Sequence, residues 1–370
     1  MANLFDYVTW RGDLPLDQVP FNDVDGLALS QLSYVPFEKI MAPGERATLR
    51  ELFDRTDGPI LSGSNFQDSN QRFFEEAAKS RRFGSLVLER YDHAFDENLE
   101  LQFAAVTFLL PDGFAFVAFR GTDRTLVGWK EDFRMAFEPI PAQERAAEYL
   151  AAVLEEHIGP VMVGGHSKGG NLALFSASTL PEELQRHIAA VYIMDGPGLR
   201  ENLINSPGYA LIEKRLHVFM PQQALFGLLL AHPREYTVVQ STASNLMQHD
   251  PYSWQLTRDG FVTAEGLDPD SLYWENVFRT WLAETNEEEF HQAVDALFRV
   301  AGAADATTIT EILPRLMQNP KAIISTIRDL EPGTRQKVMT VLGNLAGTAI
   351  HQAGGRLQAR LPKPEENTEE

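Results

Sequence analysis

The sequence predicts an α/β fold, a mainly parallel central sheet flanked by helices, with a C-terminal helical extension. Three observations carry this. Strand-like apolar runs alternate with helical patterns on both sides of residues 161–175, as in parallel strands joined by helical crossovers. The run from Val161 to Phe175 itself reads as strand, glycine-rich turn and helix. Pro111-Asp-Gly113 lies between two apolar runs and is a strong hairpin signal, so the sheet should begin with antiparallel strands.

Taken in order, the first helical pattern starts at Asn22, a good cap, with Val24, Leu27, Ala28 and Leu32 on one side. Asp68 to Arg81 is a second helix. Gly84–Tyr91, Leu99–Leu110 and Phe114–Phe119 read as consecutive strands, the last running into Arg120-Gly-Thr-Asp123. Trp129, Phe133 and Phe137 then recur at helical spacing, and a long helix follows from Ala142 to His157. After the strand–turn–helix run come Pro181–His187, a strand Ala189–Met194 and a turn Asp195-Gly-Pro-Gly198. A strand Arg215–Met220, an apolar stretch Leu225–Ala231 and a strand Tyr236–Gln240 complete the alternating region.

Beyond Trp254 the pattern changes. Trp274, Phe278 and Trp281, a capping box from Thr285 to Glu288, and Val338, Val341, Leu342 and Leu345 at helical spacing predict several packed helices. The division expected is thus an α/β domain over 1–255, a helical region over 256–361 serving as a cap or homo-oligomerisation unit, and an acidic disordered tail over 362–370.

Composition narrows the partners. The 370 residues are 44% hydrophobic, enough for a large core. With 52 acidic against 32 basic residues the net charge is -20, which disfavours nucleic acid and anionic membrane surfaces. The absence of cysteine excludes disulfides, thiolate metal sites and cysteine nucleophiles. No leader-like N-terminus and no transmembrane run is legible, so a cytoplasmic protein is expected. No histidine pair has zinc-ligand spacing and no glycine loop is built to cradle phosphate, so no metal or organic cofactor is expected.

The chemistry centres on Gly165-His-Ser-Lys-Gly169, a Gly-x-Ser-x-Gly pattern. Glycines let a strand turn sharply into a helix and leave one serine, Ser167, at the tip. The Lys168 backbone N–H, at the positive end of that helix, is aimed where an oxyanion would form. A serine hydroxyl needs a base, and His217, His232 and His249 are downstream candidates. His217 lies within a strand and His232 ends an apolar run. His249 sits in a turn-rich loop after the last strand, where a loop-borne base belongs, and is preferred. Asp195 ends a strand and would emerge at the same sheet edge as Ser167; its other reading is a plain turn residue. Asp250 adjoins His249 and is a weaker acid candidate because neighbouring side chains diverge.

Phe119-Arg-Gly-Thr122 with Trp129-Lys-Glu-Asp132, then Gly165-His-Ser-Lys-Gly-Gly170, then His249-Asp-Pro-Tyr252, together resemble the class 3 lipase group of α/β-hydrolases. More closely, the chain resembles an uncharacterised bacterial branch beside those lipases, marked by Gln-His-Asp-Pro-Tyr-Ser-Trp. The resemblance covers about Leu99 to Trp254. It implies an α/β-hydrolase fold, Ser167 as nucleophile, His249 as base, and Thr122 with the Lys168 N–H as oxyanion donors. In those lipases the acid follows the next strand, yet here that segment reads Met220-Pro-Gln-Gln-Ala224 and has no carboxylate. Either Asp195 substitutes for it or the triad is incomplete.

Two departures bear on substrate. The segment corresponding to the lipases' lid carries Lys130, Glu131 and Asp132, poorly suited to a lipid surface. Lys168 replaces a small or apolar residue; it reads as a solvated lysine or as a cation offered to an anionic acyl donor. The expectation is a serine hydrolase acting on a small acyl ester or thioester, with a peptidase or acyltransferase as the rival within enzymes. The alternative from another class is a non-catalytic α/β-hydrolase-like binding protein.

Overall fold

The computed structural model describes residues 2–62, 66–96, 98–122, 134–136, 138–269, 271–273, 275, 276, 333, 335 and 336. Nearly all of them belong to one compact unit, Met1–Glu284. The expected helices around Trp129 and beyond Phe278, the residues Lys130, Glu131 and Asp132, and the acidic tail lie outside the described residues, as does any oligomer contact they would make.

Among the described residues eight strands form one sheet, β1 (Ala47–Thr48), β2 (Val87–Asp96), β3 (Leu101–Leu109), β4 (Ala115–Phe119), β5 (Val161–His166), β6 (Ile188–Met194), β7 (Leu216–Pro221) and β8 (Thr237–Val239). Their spatial order is their chain order. The pairs from β1 to β4 are antiparallel and those from β4 to β8 parallel. This is the α/β-hydrolase arrangement expected, with the antiparallel start that the hairpin at Pro111-Asp-Gly113 predicts.

Alternate residues of the central strands go to opposite faces, as the pleat requires. On one face Phe116, Ala118 and Met162 pack under α1 (Leu4–Arg11), α2 (Asp23–Leu32), α3 (Leu49–Asp54) and α4 (Gln67–Lys79). On the other, Val117, Phe119 and Val163 pack under α5 (Pro141–Glu156) and α6 (Lys168–Thr179). α2 begins as expected: Asn22 accepts from the N–H groups of Val24 and Asp25, and Asp25 reaches back to the Asn22 N–H.

Two segments differ from expectation. β2 runs on to Asp96, past the polar Asp92-His93, because β3 pairs with it along its whole length while one of its faces stays open to solvent. Packing also continues past the compositional change at Trp254: the Leu256 N–H bonds to Ala2 O, Val262 N–H to Gln255 O, and Ala264 N–H to Val238 O on β8.

Candidate active site

The register of the parallel strands brings the candidate residues to one edge. His166, the last residue of β5, is level with Met194, the last of β6, so Ser167 and Asp195 leave the carboxyl ends of adjacent strands side by side. Each steps off its strand with positive φ, 58° at Ser167 and 47° at Asp195. Such a backbone costs a non-glycine residue of order 1–3 kcal/mol and persists only when its surroundings enforce it.

The elbow's glycines are dictated by close backbone approach. A Cβ at Gly165 would lie 2.3 Å from Gly169 C, and one at Gly169 would lie 2.1 Å from Phe119 O. Strand β5, helix α6 and the end of β4 meet there with no room for a side chain. Gly121 is equally confined: its Cβ would fall 2.2 Å from Tyr34 Oη and 3.2 Å from the Ser167 Cβ. The segment ending in Thr122 thus lies against the elbow, and Thr122 itself is buried. At the opposite side of the turn, Lys168 opens α6, so its N–H is one of the first-turn donors of that helix.

His249 comes from the short 3₁₀ segment Asn245–His249 after β8. Its Nδ1 is 2.6 Å from Asp195 Oδ2, and the carboxylate is 1% exposed. The other oxygen, Oδ1, accepts the Gly227 N–H at 3.1 Å. Phe226 covers the imidazole, with ring centroids 4.1 Å apart. The structure therefore brings Asp195 to His249 across a separation of 54 residues. The segment where the resemblance places the acid has another part: the Gln223 N–H donates to Gln248 Oε1, tethering the loop of His249.

Further contacts hold the segment Gln248-His-Asp-Pro-Tyr-Ser-Trp254 in place. Gln248 is tied to Gln223, and its carbonyl accepts from Trp254 Nε1 at 2.8 Å. Asp250 accepts from the Tyr252 N–H and so caps the turn Pro251–Ser253; burial pushes its carboxyl above the usual range. Tyr252 Oη donates to Asn70 Oδ1 at 2.7 Å, and Ser253 Oγ pairs with Ser241 Oγ.

The remaining candidates go elsewhere. His217 Nδ1 meets Asp23 Oδ1 at 3.0 Å and its ring stacks on Tyr192. His232 Nδ1 bonds the carbonyl of Pro233. The Lys168 side chain does not match the reading of a solvated lysine. It is 1% exposed and its ammonium donates to Gln102 O on β3, so it is a buried, hydrogen-bonded cation and not a solvated one. Sequence reasoning passed over Phe226, Gly227 and His166. Only the Leu225–Ala231 run hinted at the first two.

Among the described residues no group of acidic and histidine side chains is arranged to hold a metal ion, and no helix is long and apolar enough to cross a membrane. No curated protein matches the chain significantly in sequence. Solved structures similar to it include one described as fungal lipases, at 13% identity and TM-score 0.38 over 68% of this chain and 90% of that one. A mutant form of MDLA from Penicillium cyclopium is 13% identical with TM-score 0.37, covering 66% and 84%. The M37 lipase is 14% identical with TM-score 0.36, covering 72% and 82%. A family model described as Mbeg1-like matches residues 77–299, a span holding the elbow, Asp195 and the His249 loop. On that match, which exceeds half of its residues, the chain belongs to the Mbeg1-like family.

Proposed function

We propose that this protein is a serine hydrolase that cleaves a carboxylic ester or thioester through an acyl-enzyme. The observation that carries the reading is the 2.6 Å contact of His249 Nδ1 with buried Asp195, at the strand edge where Ser167 stands on its strained turn. An ionised carboxylate only accepts, so Nδ1 carries the proton and Nε2 is left as the acceptor. In the first half-reaction Ser167 Oγ attacks the carbonyl carbon while its proton passes to His249 Nε2. The oxyanion is met by the Lys168 N–H and by Thr122. Collapse breaks the bond to the leaving oxygen or sulfur, which takes the proton from Nε2. Water then repeats the sequence and releases the acid.

An incomplete triad would favour the binding-protein alternative, and the pairing of Asp195 with His249 supports the hydrolase reading over it. The test is labelling with a fluorophosphonate, which reacts with activated serines, followed by hydrolysis of short and medium p-nitrophenyl esters. Wild type should label and turn over, while Ser167→Ala and His249→Ala should do neither. Folded wild-type protein that never labels would return the lead to the binding scaffold.

A further inference from the structure

His166, the residue before the serine, is 1% exposed, yet both of its ring nitrogens have partners. Nε2 lies 2.9 Å from the main-chain carbonyl of His249. A carbonyl can only accept, so Nε2 bears the hydrogen. Burial first, and then the neighbouring His249, hold the ring well below its ordinary 6.5, so it is neutral and Nδ1 keeps its lone pair. Tyr34 Oη, 3.2 Å away, donates into that lone pair. Tyr34 follows α2 closely, and its hydroxyl is the atom a side chain at Gly121 would strike.

We propose that His166 is the positioning residue of the base, its Nε2–H fixing the main chain of His249 above the elbow while Tyr34 fixes the His166 ring. The argument is geometric and rests on the serine-hydrolase reading above. Asp195 holds one ring nitrogen of His249 and Phe226 covers the ring, but neither fixes the main chain from which the ring hangs. A second fixed point, at the carbonyl of the same residue, determines where Nε2 falls relative to Ser167. The anchor comes from the residue bonded to the nucleophile, so nucleophile and base are referenced to one rigid strand. The rings of His166 and His249 are 4.6 Å apart, so a charged His166 would oppose the imidazolium that His249 must become. A neutral one does not.

The test compares wild type with His166→Phe, His166→Gln and Tyr34→Phe by labelling rate, by kcat and KM on one p-nitrophenyl ester, and by melting temperature. Misplacing a base by a fraction of an ångström should lower kcat and labelling in His166→Phe about 10–100-fold, with KM changed by less than about twofold. Tyr34→Phe should lose about 3–10-fold, and His166→Gln, whose amide can still donate to the His249 carbonyl, should recover most of the rate. Folded His166→Phe with wild-type kcat overturns the positioning role alone. If that variant does not fold, the other two decide: full rate in Tyr34→Phe, or no recovery in His166→Gln, overturns it. Wild-type protein that never labels overturns the hydrolase reading and this role with it.

Discussion

At the scale of single residues, the site depends on which proton each group holds. Asp195 fixes the His249 tautomer only as a carboxylate, because an amide in its place can turn its NH₂ toward Nδ1 and drive the proton to Nε2. Asp195→Asn should therefore leave KM close to wild type and lower kcat about 10³–10⁴-fold, measured with the same ester. Wild-type kcat in that variant would mean Asp195 is only a turn residue. Ser167 and the elbow glycines were legible in the sequence because a sharp strand-to-helix turn can be met by few residues, all within five positions, and His249 because it sits in a turn-rich loop after the last strand. The proposed acid, Asp195, was legible only as one of two readings. Its pairing is made by the register of β5 against β6 and by a loop 54 residues away, and no local pattern encodes either. His166 was hidden for a related reason: both its partners, Tyr34 and the His249 carbonyl, are distant in sequence.

At the scale of elements, the decisive piece is the loop from Asn245 to Trp254, which carries the proposed base yet has only two short 3₁₀ turns of its own. Bonds within it close its turns, and its seat on the rest of the fold comes from outside it. Tyr252 is buried against Phe5 and Phe73, with its ring stacked on Phe5 at 5.0 Å, and its hydroxyl bonds Asn70 on α4. Tyr252→Phe keeps the packing and removes one donor from a buried carbonyl oxygen, so it should cost about 1–3 kcal/mol in urea unfolding. A variant as stable as wild type would show that the hydroxyl is not what holds the loop. The alternating strands and long helices were legible because each repeats its apolar period over enough residues. α1 carried a signal too, Asn3 with Asp6 forming a reciprocal cap, but eight residues give the period little length to declare itself.

At the scale of the whole molecule, the layer over the first face of the sheet is pinned by one buried ion pair. Arg82 and Asp25 are both fully buried in their side chains, with Arg82 Nε 2.7 Å from Asp25 Oδ1. Arg82 also donates to the carbonyls of Leu14, Val19 and Pro20, and Tyr7 Oη donates to Asp25. The cluster ties α1, α2 and the segment before β2 into one body. Asp25→Ala would strand a buried guanidinium and should destabilise the protein by about 3–5 kcal/mol by denaturant midpoint. A midpoint at the wild-type value would mean the pair contributes little beyond what the carbonyls supply.

The coincidence of spatial and chain order in the sheet has a consequence in time. A chain that adds each strand beside the previous one can build its sheet as it leaves the ribosome, with no early strand waiting for a late neighbour. The loop with the proposed base arrives after β8, and its seat is made by residues far earlier in the chain: Phe5 under Tyr252, Asn70 at its hydroxyl, and Ala2 at Leu256. A nascent chain would thus hold a formed elbow and a nearly finished sheet before its proposed base is in place, and would gain that base only when an early segment closes on a much later one.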